Sequence, residues 1–236
     1  MHADAKTCFG NGFGDFCQEP TLIDGQIEWR SAAATSLDPE ILTTPAMPFA
    51  PNGGVKLLEG NLGRSVIKTS AVQEQHHIVE APAVVIDDQD DLKPLFEAGE
   101  LDKDCVVVVR FQGPSANGMP ELHKLTPMLG VLQDRGHKVA LVTDGRMSGA
   151  SGKVPAAIHL VPEASQGGPL GKIQTGDVIR LDATTGELSA HIDETELKSR
   201  TEAQAPNVPR TVGRGLFSNN RLAISSAEEG ASSLFI

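Results

Sequence analysis

The sequence predicts a mixed α/β fold, a curled sheet or β-barrel of about seven to eight short strands flanked by helices. Three observations carry that expectation. Short β-branched runs recur from Gly60 onward, two helical windows with stop signals interrupt them, and one strand pair is joined by a tight glycine-containing turn. An aromatic content of 4% with no tyrosine leaves the core to Val, Ile, Leu and Ala, which suffices for a domain of ordinary size.

In chain order, residues 1–51 are rich in Gly, Pro, Ala and Thr with little periodicity, so they read as a connector holding one short hairpin around Asp24-Gly25. The cluster Gly10-Asn-Gly-Phe-Gly14 lacks the third glycine of a dinucleotide fingerprint, and no strand precedes it. A barrel-like domain then spans residues 52–204. Its strand candidates are Ser65 to Ser70, Ala83 to Ile86, Cys105 to Phe111, Val139 to Thr143, Ile158 to Val161, Val178 to Leu181 and Glu187 to Ile192. The last two, joined by Ala183-Thr-Thr-Gly186, form the clearest hairpin. Helices are expected over Asp88 to Ala98, with aspartates at its start and Gly99 past its end, and over about Lys124 to Arg135, stopped by Gly136. Residues 205–236 begin proline-rich and read as a linker and docking tail.

Two apolar strands end in polar, Gly/Pro-shaped loops, and strand-end loops are where ligands collect in α/β architectures. After Cys105 to Val109 comes Gly113-Pro-Ser-Ala-Asn-Gly-Met-Pro-Glu-Leu-His-Lys124. After Val139 to Val142 comes Thr143-Asp-Gly-Arg-Met-Ser-Gly-Ala-Ser-Gly-Lys153. Glycines in the second loop allow amide donors to converge on an anion, and Arg146 and Lys153 add charge-assisted donors for carboxylate or phosphate. Neither a P-loop nor a nucleophile elbow fits: Met147 and Val154 break the first pattern, Arg146 and Ala150 the second. Glu121 is a hard oxygen donor suited to Mg²⁺, or a first-turn helix carboxylate. Asp144 is expected either to order its own loop through local Asx-type hydrogen bonds, the favoured reading, or to position Arg146. Asn61, Arg64 and Lys68 form a polar stripe that is a candidate cleft lining.

The combination Gly118-Met-Pro-Glu121, Val142-Thr-Asp-Gly-Arg-Met-Ser-Gly149, Pro162-Glu-Ala164 and Gly167-Gly-Pro-Leu170 resembles the C-terminal domain of the dihydroxy-acid/6-phosphogluconate dehydratase family, over most of the chain. Glu59-Gly-Asn-Leu-Gly-Arg-Ser-Val-Ile-Lys68, Leu122-His-Lys-Leu-Thr126 and Ser151-Gly-Lys-Val-Pro-Ala-Ala-Ile-His159 make it most similar to the members acting on 6-phosphogluconate. The resemblance implies a swivelling β/β/α fold and a hydro-lyase that removes water from a sugar acid to give a 2-keto-3-deoxy product. It implies Ser148 as the base and Glu121 as one Mg²⁺ ligand. Arg146, Lys153, His123, Lys124 and Ser151 become candidates for binding substrate, with His123, Lys124 and Lys153 at its phosphate end. A dihydroxy acid or unphosphorylated aldonate as substrate, or a non-catalytic anion-binding barrel, remain the alternatives.

The same resemblance implies an iron–sulfur cluster, of the 4Fe-4S type, as Lewis acid for the leaving hydroxyl. Cys8, Cys17 and Cys105 show no Cys-x-x-Cys pair, so its ligands are expected outside this chain, in an N-terminal cluster-binding domain of the same enzyme. Met1 then reads as an internal methionine, and the chain alone is expected to be inactive. Other expected partners are a small phosphorylated sugar acid and a second copy in a homodimer. The 20 basic and 31 acidic residues give a net charge of −11, which argues against nucleic acid. No apolar stretch approaches the ~20 residues that cross a bilayer, and a cytoplasmic enzyme is the expectation.

Overall fold

A computed structural model describes residues 5–8, 10, 12, 16–148, 152–207 and 213–234. They fall into two compact units, Met1–Gly53 and Gly54–Ile236. In the first, β1 (Gln18–Ile23) and β2 (Gln26–Ser31) form the hairpin expected at Asp24-Gly25. Its register puts Pro20 opposite Trp29 and Leu22 opposite Ile27, while Glu19 pairs with Arg30 and Thr21 with Glu28. One face of the ribbon is therefore apolar and the other polar.

The second unit is a closed barrel of eight strands: β3 (Val55–Gly60), β4 (Gly63–Lys68), β5 (Ile78–Ile86), β6 (Cys105–Val109), β7 (Val139–Thr143), β8 (Ala156–Val161), β9 (Val178–Asp182) and β10 (Glu187–Ala190). Around the barrel the order is β10-β3-β4-β8-β7-β6-β5-β9. Neighbours β5, β6, β7 and β8 run parallel, so their carboxyl ends share one rim. β5 changes partner midway, pairing antiparallel with β9 as far as Pro82 and parallel with β6 from Ala83. A proline, which has no N–H to give a ladder, sits where one ladder hands over to the next.

Alternation along the parallel strands divides the core in two. Val106 and Val108 of β6 and Ala140 and Val142 of β7 point into the barrel, where Leu58, Leu62, Leu160, Leu181 and Leu188 fill the space between small alanines. Cys105, Val107, Val109, Val139 and Leu141 face outward, beneath α1 (Leu92–Glu97) and α3 (Leu125–Asp134). Helix α3 buries Leu125, Leu129 and Leu132, an i, i+4, i+7 stripe. Each such leucine contributes about 1.5–3 kcal/mol by leaving water.

The helix ends follow the chemistry read from the sequence. Asp88 closes a capping box over the turn Gln89–Asp91 that leads into α1, and Gly136, at φ 97°, ends the chain's turn after α3. Three short helices were not expected: α2 (Pro114–Asn117), α4 (Glu194–Ser199) and α5 (Ser218–Arg221). Strand β3 was also missed, because only Leu58 of its six residues is buried and no alternation shows. Two residues of the polar stripe have partners within the barrel unit. Asn61 exchanges hydrogen bonds of 2.7 and 2.8 Å with the backbone of Ala190, and Arg64 pairs with Glu59 and, in the tail, Glu228.

Candidate functional site

The β6 and β7 exits meet at the shared rim because Val109 and Thr143 are register partners on adjacent parallel strands. Glu121 and Arg146 then form a bridge between the two loops, with the Leu122 amide donating to the Arg146 carbonyl. The Glu121 carboxylate is the focus. One oxygen accepts the Ser148 backbone N–H at 2.7 Å, and the other accepts the Arg146 Nη1 at 2.9 Å. Arg146 Nε also donates to the carbonyl of Met119, at 2.8 Å. Gln89 reaches the Glu121 carbonyl weakly at 3.4 Å, and its own Oε1 is buried without a hydrogen-bond partner.

Of the other sequence candidates, His123, Ser148 and Lys153 line one open depression of about 610 Å³ beside α3. Lys153 is paired there with Asp134. Lys124 turns away to Asp90 at 2.8 Å, which holds its ammonium above the usual lysine range, so it is not part of this cluster. Ser151 lies outside the described residues. Among the described residues no group of three or more His, Cys, Asp or Glu side chains could hold a metal ion. Glu121 fits one position of a Mg²⁺ shell, whose preferred donor is carboxylate oxygen. Cys105 does not fit a cluster ligand: it is fully buried at the start of β6, and burial pushes its thiol up to about 11.

Two buried carboxylates hold the rim together. Asp144, expected to bond within its own loop, instead reaches other segments: it accepts from the amides of Phe111 at 3.2 Å, Gln112 at 2.8 Å and Ala164 at 2.9 Å. Burial pushes its carboxyl up to about 6 against the pull of those donors. Glu163 accepts from the Ser115 and Ala116 amides and the Ser115 hydroxyl at the start of α2. Its carboxylate fills the space a side chain at Gly113 would need, since a Cβ there would lie 1.9 Å from Oε2. The sequence marked Glu163 only as part of the Pro162-Glu-Ala164 motif, with no role attached.

The backbone around these groups is unusual. Phe111, Met119 and His159 have φ of 60, 49 and 58°, a region costly for residues with a Cβ, and such outliers gather where surroundings enforce them. The His159 amide donates to the Gly145 carbonyl at 2.8 Å, and burial together with the Arg146 charge lowers its imidazole pKa.

A family model described as "Dihydroxy-acid/6-phosphogluconate dehydratase C-terminal" matches residues 40–231. The chain is 56% identical over 234 residues to a phosphogluconate dehydratase of Pseudomonas aeruginosa, covering 99% of this chain and 38% of that protein. A phosphogluconate dehydratase of Escherichia coli K12 is 54% identical over 98% of this chain and 39% of its own length. A dihydroxy-acid dehydratase of Wolinella succinogenes is 35% identical over 205 residues, 86% of this chain and 36% of that protein. The chain thus spans well under half the length of these relatives.

Proposed function

The chain belongs to the dihydroxy-acid/6-phosphogluconate dehydratase C-terminal family, and from that premise we propose that it forms the C-terminal part of a phosphogluconate dehydratase. The reaction is loss of water from 6-phospho-D-gluconate. The C2–H bond breaks as a base takes the proton, the C3 hydroxyl leaves, and the resulting enol tautomerises to 2-dehydro-3-deoxy-6-phosphogluconate. In cells this places it in the Entner-Doudoroff route of gluconate metabolism, in the cytoplasm. The greater identity to phosphogluconate dehydratases than to the dihydroxy-acid enzyme favours the phosphorylated substrate.

The observation that carries the reading is the 2.7 Å bond joining the Ser148 amide to Glu121. It brings the backbone of a serine and a hard carboxylate to one point on the rim of parallel strand ends, where two loops of the right chemistry meet. Ser148 is the base in this reading. A bare carboxylate so close raises a serine pKa, so the alkoxide needs positive charge beside it. Arg146 supplies part of that charge. Mg²⁺ on Glu121 would supply the rest by reversing the local field and stabilising the enolate oxygens. Arg146, bound to Glu121, and Lys153, which lines the same depression as Ser148 and His123, are the cations this reading assigns to the substrate's carboxylate and phosphate.

Glu121 provides one ligand position only, and the remaining Mg²⁺ ligands and those of a 4Fe-4S cluster come from an N-terminal domain outside this chain. That domain and a second copy in a homodimer are the expected protein partners. Turnover of 6-phosphogluconate, gluconate and a branched dihydroxy acid by the full-length enzyme tests the assignment. A 2-keto acid should form fastest from the phosphorylated substrate. Equal or faster turnover of either other acid reassigns the substrate.

A further inference from the structure

Asp144 is fully buried, yet among the described residues its carboxylate bonds to three amides outside its own loop. One oxygen takes the Phe111 and Ala164 amides and the other takes the Gln112 amide, so a single carboxylate ties the β6 exit, the β7 exit and the segment after β8. Phe111 is held in a left-handed conformation at one of those bonds. Gln112 is fixed further by its side chain, which donates to the Asp87 carbonyl at 2.8 Å and accepts from Asn117 at 3.1 Å.

Gly145 then passes the constraint on. A Cβ at Gly145 would lie 2.6 Å from the Gln112 Cβ and 3.1 Å from Leu122 Cδ1, so the two loops touch with no slack. One residue later, Arg146 grips Met119 and Glu121, and two residues after that the Ser148 amide meets the same Glu121 carboxylate.

We propose that Asp144 is a positioning residue: its buried carboxylate sets the β7 exit against the β6 exit, and thereby places Ser148 on Glu121. The inference rests on the reading of Ser148 as base and deepens it. It assigns no contact with substrate to Asp144. Asparagine is the informative replacement. Its single oxygen can serve two of the three amides, while its NH₂ faces the third as donor against donor.

The test is amide hydrogen exchange at single-residue resolution in the full chain, with turnover followed in the full-length enzyme. In D144N the Ser148 amide should exchange at least about tenfold faster, while Val107 and Leu141 in the barrel change less than about twofold. G145A, which wedges the same contact without touching the carboxylate, should also release Ser148 and covers the case in which D144N does not fold. Unchanged exchange at Ser148 in either folded variant, or equal acceleration at Val107 and Leu141, overturns the proposal. In the enzyme kcat should fall at least about tenfold with KM within about twofold, a split that loss of folded protein alone does not mimic in the active-site-titrated sample. Faster Ser148 exchange with undiminished kcat upholds the positioning and instead removes Ser148 from the chemistry.

Discussion

Ser148→Ala separates chemistry from architecture, because the contact that locates Ser148 is made by its backbone. The N–H bond to Glu121 survives the substitution, and the side chain is exposed. Removing an exposed hydroxyl changes stability by no more than about 0.5 kcal/mol, which in a chain this size moves Tm by roughly 2 °C or less. A general base, by contrast, contributes about 10²- to 10⁴-fold, equivalent to about 3–5 kcal/mol of barrier. The full-length Ala variant should therefore melt with the parent and lose at least about a hundredfold in kcat for 2-keto acid release from 6-phosphogluconate, with KM little changed. Turnover within about threefold of the parent would show that the hydroxyl is not the base. A Tm lowered by more than about 5 °C would show that the site's geometry needs the hydroxyl after all.

Glu121→Gln keeps an oxygen for the Ser148 amide but removes the charge that pairs Arg146; that pair is partly exposed and worth about 0–1 kcal/mol, so unfolding should barely change while the Mg²⁺ dependence of turnover weakens. An unaltered Mg²⁺ titration would remove Glu121 from the ligand set. Asp144, with a native carboxyl near 6 against about 3.9 unfolded, binds its proton more readily when folded. Its contribution to stability is thus fully present below about pH 4 and lost as pH rises through about 6. Denaturant unfolding of parent and D144N should then diverge by on the order of 2–3 kcal/mol in the parent's favour between pH 7 and pH 4, and a pH-independent difference contradicts the burial argument. Native protein should react with a thiol reagent at the exposed Cys8 and Cys17, with Cys105 modified only on unfolding; three fast thiols would contradict the barrel. Leu160→Ala, inside the barrel, should cost about 2–5 kcal/mol by chemical denaturation, and a loss below about 1 kcal/mol would place it outside the core.

How far the sequence could be read depended on how many faces of an element were buried. Strands β6 and β7 lie between the barrel interior and the helices, so every residue of each is buried and the apolar runs Cys105–Val109 and Val139–Thr143 stand out. Strand β3 closes the barrel with a single buried residue, and nothing in Val55–Gly60 announces it. Helix α4 was legible in principle, since Asp193 caps it through the amides of Thr195 and Glu196. Six residues between a hairpin and a proline-rich stretch offered little periodicity to support that cap.

The candidate site divides along the same physical line. That Glu121 and Ser148 follow strands was readable, but their meeting depends on β6 and β7 being adjacent and parallel, with Val109 opposite Thr143. Strand order is a property of the closed barrel, and no local run of residues encodes it. The role of Asp144 is further from view, because its partners are backbone amides, which every residue but proline carries. A carboxylate that binds side chains leaves a pattern of complementary residue types; one that binds amides of three separate segments leaves only itself. The rim is therefore specified twice, by side chains that advertise their chemistry at Glu121, Arg146 and Ser148, and by backbone groups at Phe111, Gln112 and Ala164 that acquire meaning only once the strands have closed.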